Sequence, residues 1–281
     1  MPTPLTISLA TIEVSIFVAL AVFFSCSLAL VYSRKVKIQQ PPVGRTNWKD
    51  ATVLLVAIPV FTLLVAYAPS IIIVALLVLS LLVAFTSFLG SIVKRGIVSV
   101  PIALVLIATQ LVIRNIWLND AIVVSSLVFV SSFFMQTGMK SREVVYLAIG
   151  YSVYDLASLF ILPSLVRTFT INSPVAPLVI ILTATQGRVV GGGDILLLTL
   201  FVATLDTAFG IRIAAVFAGV SVLFTFVVSA TIAAVTAIPI SPFLTLAFLA
   251  IVWGARGSQA KPSSVRSQES QEPKSRERTS G

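Results

Sequence analysis

Histidine is absent from all 281 residues, and cysteine occurs once, as Cys26. Without His there is no Ser-His or Cys-His dyad and no zinc-binding His-Glu-x-x-His helix. A lone cysteine forms neither an internal disulfide nor a Cys-rich metal site; inside the first apolar run, Cys26 reads as a packing residue. Charge is scarce as well: Asp, Glu, Lys and Arg supply 10% of the chain, against about 25% in soluble domains. Any chemistry must therefore rest on Asp, Glu, Lys, Tyr or Ser, with no metal and no cofactor expected.

What the chain has instead is apolar length. Hydrophobic residues make up 58% of it, and the few charges cluster between long apolar runs. Residues 70–89 contain no charge, and at a rise of about 1.5 Å per residue such a run spans a hydrocarbon core of roughly 30 Å. Nine transmembrane helices are expected, near residues 10–32, 51–68, 70–89, 97–113, 121–137, 144–162, 193–209, 213–235 and 239–253. Residues 174–190 are different, because their apolar stretch is too short to span and is flanked by Pro and Gly. The β-branched Val179, Ile180, Ile181 and Thr183 suit a short extended strand before helix seven. Such a strand needs shielding from lipid by protein or water. Residues 1–254 thus read as a single all-α membrane domain, and 255–281, rich in Ser, Gln, Glu, Lys and Arg, as a disordered basic tail.

The net charge of +9 does not point to nucleic acid, since the basic residues lie in loops and the tail rather than on a helix interleaved with aromatics. They order the topology instead. With the N-terminus outside, 16 of the 19 Lys and Arg fall on the cytoplasmic side, leaving Arg114, Arg167 and Arg188 outside. The first apolar segment has its basic cluster after it, which argues for a retained helix over a cleavable signal peptide. The small extramembrane segments point to a prokaryotic cell membrane.

Outside the first basic loop and the tail, six acidic residues lie in or beside the spans: Glu13, Asp120, Glu143, Asp155, Asp194 and Asp206. Glu13, Asp120, Glu143 and Asp206 are expected at helix ends, Asp120 and Glu143 where a carboxylate meets the positive end of the dipole. Asp155 follows Tyr154 deep in the sixth apolar run, where an ionisable group is expensive and is a functional candidate by default. A protonated Asp bonded to a nearby hydroxyl is the alternative, because polar side chains also join helices in membranes. Asp194 ends the run Gly191-Gly192-Gly193-Asp194 and opens the seventh apolar segment. It reads either as a helix N-cap or as a group beside a glycine backbone free to adopt positive φ and admit a second chain. As a pair the two residues fit aspartyl protease chemistry, in which two carboxylates share one proton and activate water without histidine.

These motifs resemble those of the presenilin and signal peptide peptidase family of GxGD intramembrane aspartyl proteases. Tyr154-Asp155 is similar to the family's YD motif, and Gly191-Gly192-Gly193-Asp194 to its GxGD motif. Pro242-Phe243-Leu244 is similar to its Pro-Ala-Leu, with Phe in place of Ala. The resemblance implies a nine-helix presenilin-like fold, catalytic Asp155 and Asp194, and substrate positioning by the flanking motif residues. Transmembrane peptides in the lipid bilayer would be the substrates, with residues 178–184 pairing with an unwound substrate by strand addition. The inferred orientation matches the signal peptide peptidase branch. Two other functions use the same features: a prepilin-type GxGD peptidase, and an ion-coupled secondary transporter with paired intramembrane carboxylates.

Overall fold

The computed structural model describes residues 9–37, 46–67, 69–94, 96–161, 180–181, 190–231 and 240–259. These residues are almost wholly helical. The nine described helices are α1 (Leu9–Lys35), α2 (Trp48–Tyr67), α3 (Ser70–Val93), α4 (Gly96–Ile113), α5 (Ile116–Gln136), α6 (Ser141–Ile161), α7 (Gly192–Phe209), α8 (Ile211–Thr231) and α9 (Ser241–Gln259). Two strands of two residues each, β1 (Ile180–Ile181) and β2 (Val190–Gly191), pair antiparallel just ahead of α7, with Ile180 opposite Gly191. The rest of the segment expected to be extended, 174–190, lies outside the described residues, as do 260–281 of the expected tail.

Local chemistry explains where several helices start and stop. α5 ends in a Schellman motif: Gly138 takes φ +95°, its N–H donates to the Met135 carbonyl and the Met139 N–H to that of Phe134. α6 then begins at once. The Glu143 carboxylate accepts the Lys140 N–H at 2.6 Å, while the Lys140 carbonyl receives the Glu143 and Val144 N–H groups. This is the acidic half of a capping box. α5 is capped by Asn115, whose side chain accepts the Leu118 N–H. Asp120 therefore does not stand at the helix start as expected, but lies buried a turn inside α5. α3 and α2 are separate helices with Pro69 between them.

α7 is the central helix. Residues 197–205 are buried without interruption, so no face of this helix is left polar or exposed over two turns. It packs against α1, α5, α6, α8 and α9. Phe201 on α7 stacks on Phe248 of α9 with ring centroids 4.1 Å apart, and Phe217 of α8 meets both edge-on. Around this core α1 packs on α8 and α5, α3 on α4 and α5, and α2 on α6.

The outside of the bundle is as apolar as the inside. Ile71, Ile97 and Val112 are each more than three-quarters exposed. Five described helices, α1, α3, α5, α7 and α8, are long and apolar enough to cross a membrane. All three tryptophans are exposed and stand at or near helix ends, Trp48 opening α2, Trp117 opening α5 and Trp253 late in α9. That is the placement of an interfacial aromatic belt. Lipid solvates such a surface, whereas water would drive it to associate.

α9 also runs past Ala255 to Gln259, so helix continues into the segment expected to be disordered tail.

Candidate functional site

The site forms where α6, α7 and α9 converge. Asp155 lies six residues before the last residue of α6, about 9 Å along the axis. Asp194 lies in the first turn of α7. Since one residue is near the end of its helix and the other near the start of the next, antiparallel packing puts them at one level.

Ser241, the first residue of α9, joins them. Its hydroxyl donates to Asp155 Oδ2 at 2.5 Å, and its backbone N–H lies against the carboxylate of Asp194. Asp155 is in turn within electrostatic reach of Asp194. Ser241 is fully buried and Asp155 partly buried, while Asp194 Oδ1 is shut away from the surface with no hydrogen-bond partner among the described residues. A buried carboxyl oxygen left without a partner is costly, and in native proteins such an atom calls for an explanation.

The glycine run acts by close approach, not by unusual backbone angles. Gly191 caps α7 with φ −64° and ψ 137°, ordinary extended backbone. Among the described residues positive φ is confined, for glycine, to Gly138 and Gly210, so the expectation that the run exploits left-handed conformations is corrected. Its use lies in space. A Cβ on Gly193 would overlap the Tyr151 hydroxyl and lie 2.7 Å from Tyr151 Cζ, and one on Gly191 would lie 3.3 Å from Asp194 Oδ2. Glycine thus lets the Tyr151 ring seat against the start of α7. Asp194 is likewise not the N-cap; Gly191 holds that position and Asp194 follows three residues later.

Tyr154 is partly buried, with its ring 6.2 Å from that of Tyr151. Tyr151 lies one turn before Asp155 and feels both carboxylates electrostatically. Pro242 falls in the first turn of α9, where the missing N–H has no intrahelical partner to lose. Phe243 is half exposed and packs on Phe224 of α8, and Leu244 is buried in the core. The structure therefore brings together Asp155, Asp194, Gly191 and Gly193. It uses Pro242, Phe243 and Leu244 to seat the start of α9, while the residue that touches the carboxylates is Ser241. Ser241 and Tyr151 were missed in the sequence. The available signals were a hydroxyl directly preceding Pro-x-Leu and an aromatic one turn before Asp155.

A second polar contact, Ser152 Oγ to Thr245 Oγ1 at 2.8 Å, ties α6 to α9 below the site. Among the described residues no cluster of three or more His, Cys, Asp or Glu side chains could hold a metal ion. No protein-family model matches the chain, and no curated protein matches it.

Proposed function

We propose that the protein is an intramembrane aspartyl endopeptidase that hydrolyses transmembrane segments of membrane proteins or signal peptides between Asp155 and Asp194. The observation that carries this reading is the convergence of the two carboxylates on one residue, Ser241, at the meeting point of three helices. Two carboxylates that meet at one serine and interact electrostatically are placed to share one proton. One then takes a proton from water as the other donates one to the scissile carbonyl. The resemblance of Tyr154-Asp155, Gly191–Asp194 and Pro242–Leu244 to the presenilin and signal peptide peptidase motifs supports the same chemistry.

The β1–β2 ladder adds a means of delivery. β2 runs directly into the glycines ahead of Asp194, so a peptide that added to this ladder in extended form would be led toward the carboxylates. A transmembrane helix must unwind there, since a helix conceals its peptide bonds. In this reading all nine helices cross the membrane of a prokaryotic cell, with the N-terminus outside and the C-terminus in the cytoplasm. No metal or cofactor takes part.

The test is direct. Purified protein in detergent, given a transmembrane peptide, yields two product peptides, and Asp155→Asn or Asp194→Asn abolishes them while the protein stays folded. Ion-coupled uptake that either substitution abolishes, with no peptide cut, would instead establish a transporter. Cleavage confined to the membrane-surface leader of a pilin would establish a prepilin-type peptidase.

A further inference from the structure

We propose that Ser241 is a positioning residue that makes the two carboxylates unequal, assigning Asp155 to draw the proton from water and Asp194 to donate one to the scissile carbonyl. The inference rests on the protease reading above and deepens it.

The geometry is asymmetric. A serine hydroxyl has one proton, and here it goes to Asp155 Oδ2. A hydroxyl that donates to a carboxylate oxygen favours the ionised form of that carboxylate. Asp194 takes no part in that hydroxyl bond: the Ser241 backbone N–H lies beside its carboxylate, and its Oδ1 is buried with no partner among the described residues. A protonated carboxyl at that oxygen has an O–H to give and nothing to give it to until a carbonyl arrives. The single shared proton is therefore best placed on Asp194.

The reaction balances on this assignment. A water proton passes to Asp155 as the water oxygen bonds to the carbonyl carbon, and the Asp194 proton moves to the carbonyl oxygen. The resulting gem-diol collapses with rupture of the C–N bond. The proton on Asp155 goes to the leaving amine nitrogen, and one gem-diol proton returns to Asp194, restoring the starting state.

α9 supplies its own control for this role. Ser241 and Thr245 lie one helical turn apart, and they meet Asp155 and Ser152, which are likewise about one turn apart on α6. The two contacts are successive rungs between the same helices, but only the Ser241 rung touches a carboxylate. A role limited to clamping helices would be shared by both.

The experiment compares Ser241→Ala, Ser241→Thr, Thr245→Val, Asp155→Asn and Asp194→Asn in the full chain, purified in detergent and assayed on a transmembrane peptide. Ser241→Ala is expected to lower kcat about 10- to 100-fold, the worth of a hydrogen bond to a charged group, with KM within about twofold because the peptide-binding surface is untouched. Ser241→Thr, which keeps the hydroxyl, restores most of kcat. Thr245→Val lowers the melting temperature and leaves kcat near wild type. If Ser241→Ala fails to fold, Ser241→Cys, of similar volume but with a weak S–H donor, must show the same loss of kcat. Wild-type kcat in the Ala or Cys variant, with both Asn variants inactive, overturns the role of Ser241 and leaves the protease reading standing. Equal loss of kcat in Thr245→Val also overturns it. Cleavage that survives the Asn substitutions, or a wild type that cuts no peptide, overturns both.

Discussion

Gly193→Ala perturbs the site without touching either carboxylate. The new Cβ would lie 2.7 Å from Tyr151 Cζ and overlap the hydroxyl beyond it. To reach ordinary contact at 3.4 Å, the ring or the start of α7 must withdraw by about 0.7 Å at Cζ, and by more at the hydroxyl. Tyr151 is one turn from Asp155, and Gly193 is the residue before Asp194, so the strain falls across the pair. Displacements of about 1 Å in a catalytic constellation cost on the order of 100-fold in rate. Overpacking of this kind costs about 1–3 kcal/mol of stability. Gly193→Ala is therefore expected to lose about 100-fold in peptide cleavage while remaining folded. Gly219→Ala on α8, where a Cβ meets nothing within 4 Å, serves as the control and should retain wild-type cleavage. Assays of both variants on one transmembrane peptide, alongside thermal melting, decide the matter. Full activity and an unchanged melting temperature in Gly193→Ala would refute the seating of Tyr151 against α7.

Other substitutions probe the scaffold. Phe248→Ala removes a fully buried ring stacked on Phe201 and should destabilise the bundle by about 3 kcal/mol, measured by denaturant or thermal unfolding in detergent. Thr245→Val should cost about 1 kcal/mol, and the double variant with Ser152→Ala less than the sum of the two, as a double-mutant cycle on one shared bond requires. Arg34 grips Asp206 with two nitrogens, joining the ends of α1 and α7. Asp206→Asn should lower the melting temperature more at low salt than at high salt, since screening already weakens an exposed pair.

Much of the architecture is legible in the sequence because lipid imposes a strong rule: backbone polar groups must be satisfied within the segment, so apolar length reads as helix. Helix ends are less legible. A run of hydropathy marks where a chain leaves the hydrocarbon, whereas a helix stops where its hydrogen bonds do. α1 therefore runs on through Arg34 and Lys35, which suit the negative end of its dipole, and α9 continues past Ala255. Asp155 and Asp194 stood out because charge is rare in such a chain. Ser241 did not, because serine is cheap in a membrane helix and its contact with Asp155 spans 86 positions. Asp206 was placed correctly at a helix end, but its partner Arg34 is 172 positions away and no local pattern reveals it. The glycine run predicts both positive φ and room for a second chain; only close approach is seen, and what approaches is the Tyr151 ring of the same chain, which no glycine motif encodes.

If the protein is a protease, Asp155 and Asp194 together deliver water to a peptide bond within the bilayer. The most direct measurement is cleavage of a transmembrane peptide by the purified protein in water enriched in oxygen-18, with the products weighed by mass spectrometry. One heavy oxygen is expected in the new carboxyl terminus for the wild type, and no product from Asp155→Asn or Asp194→Asn. Labelled product from either Asn variant, or an intact peptide in the presence of folded wild-type protein, would contradict it.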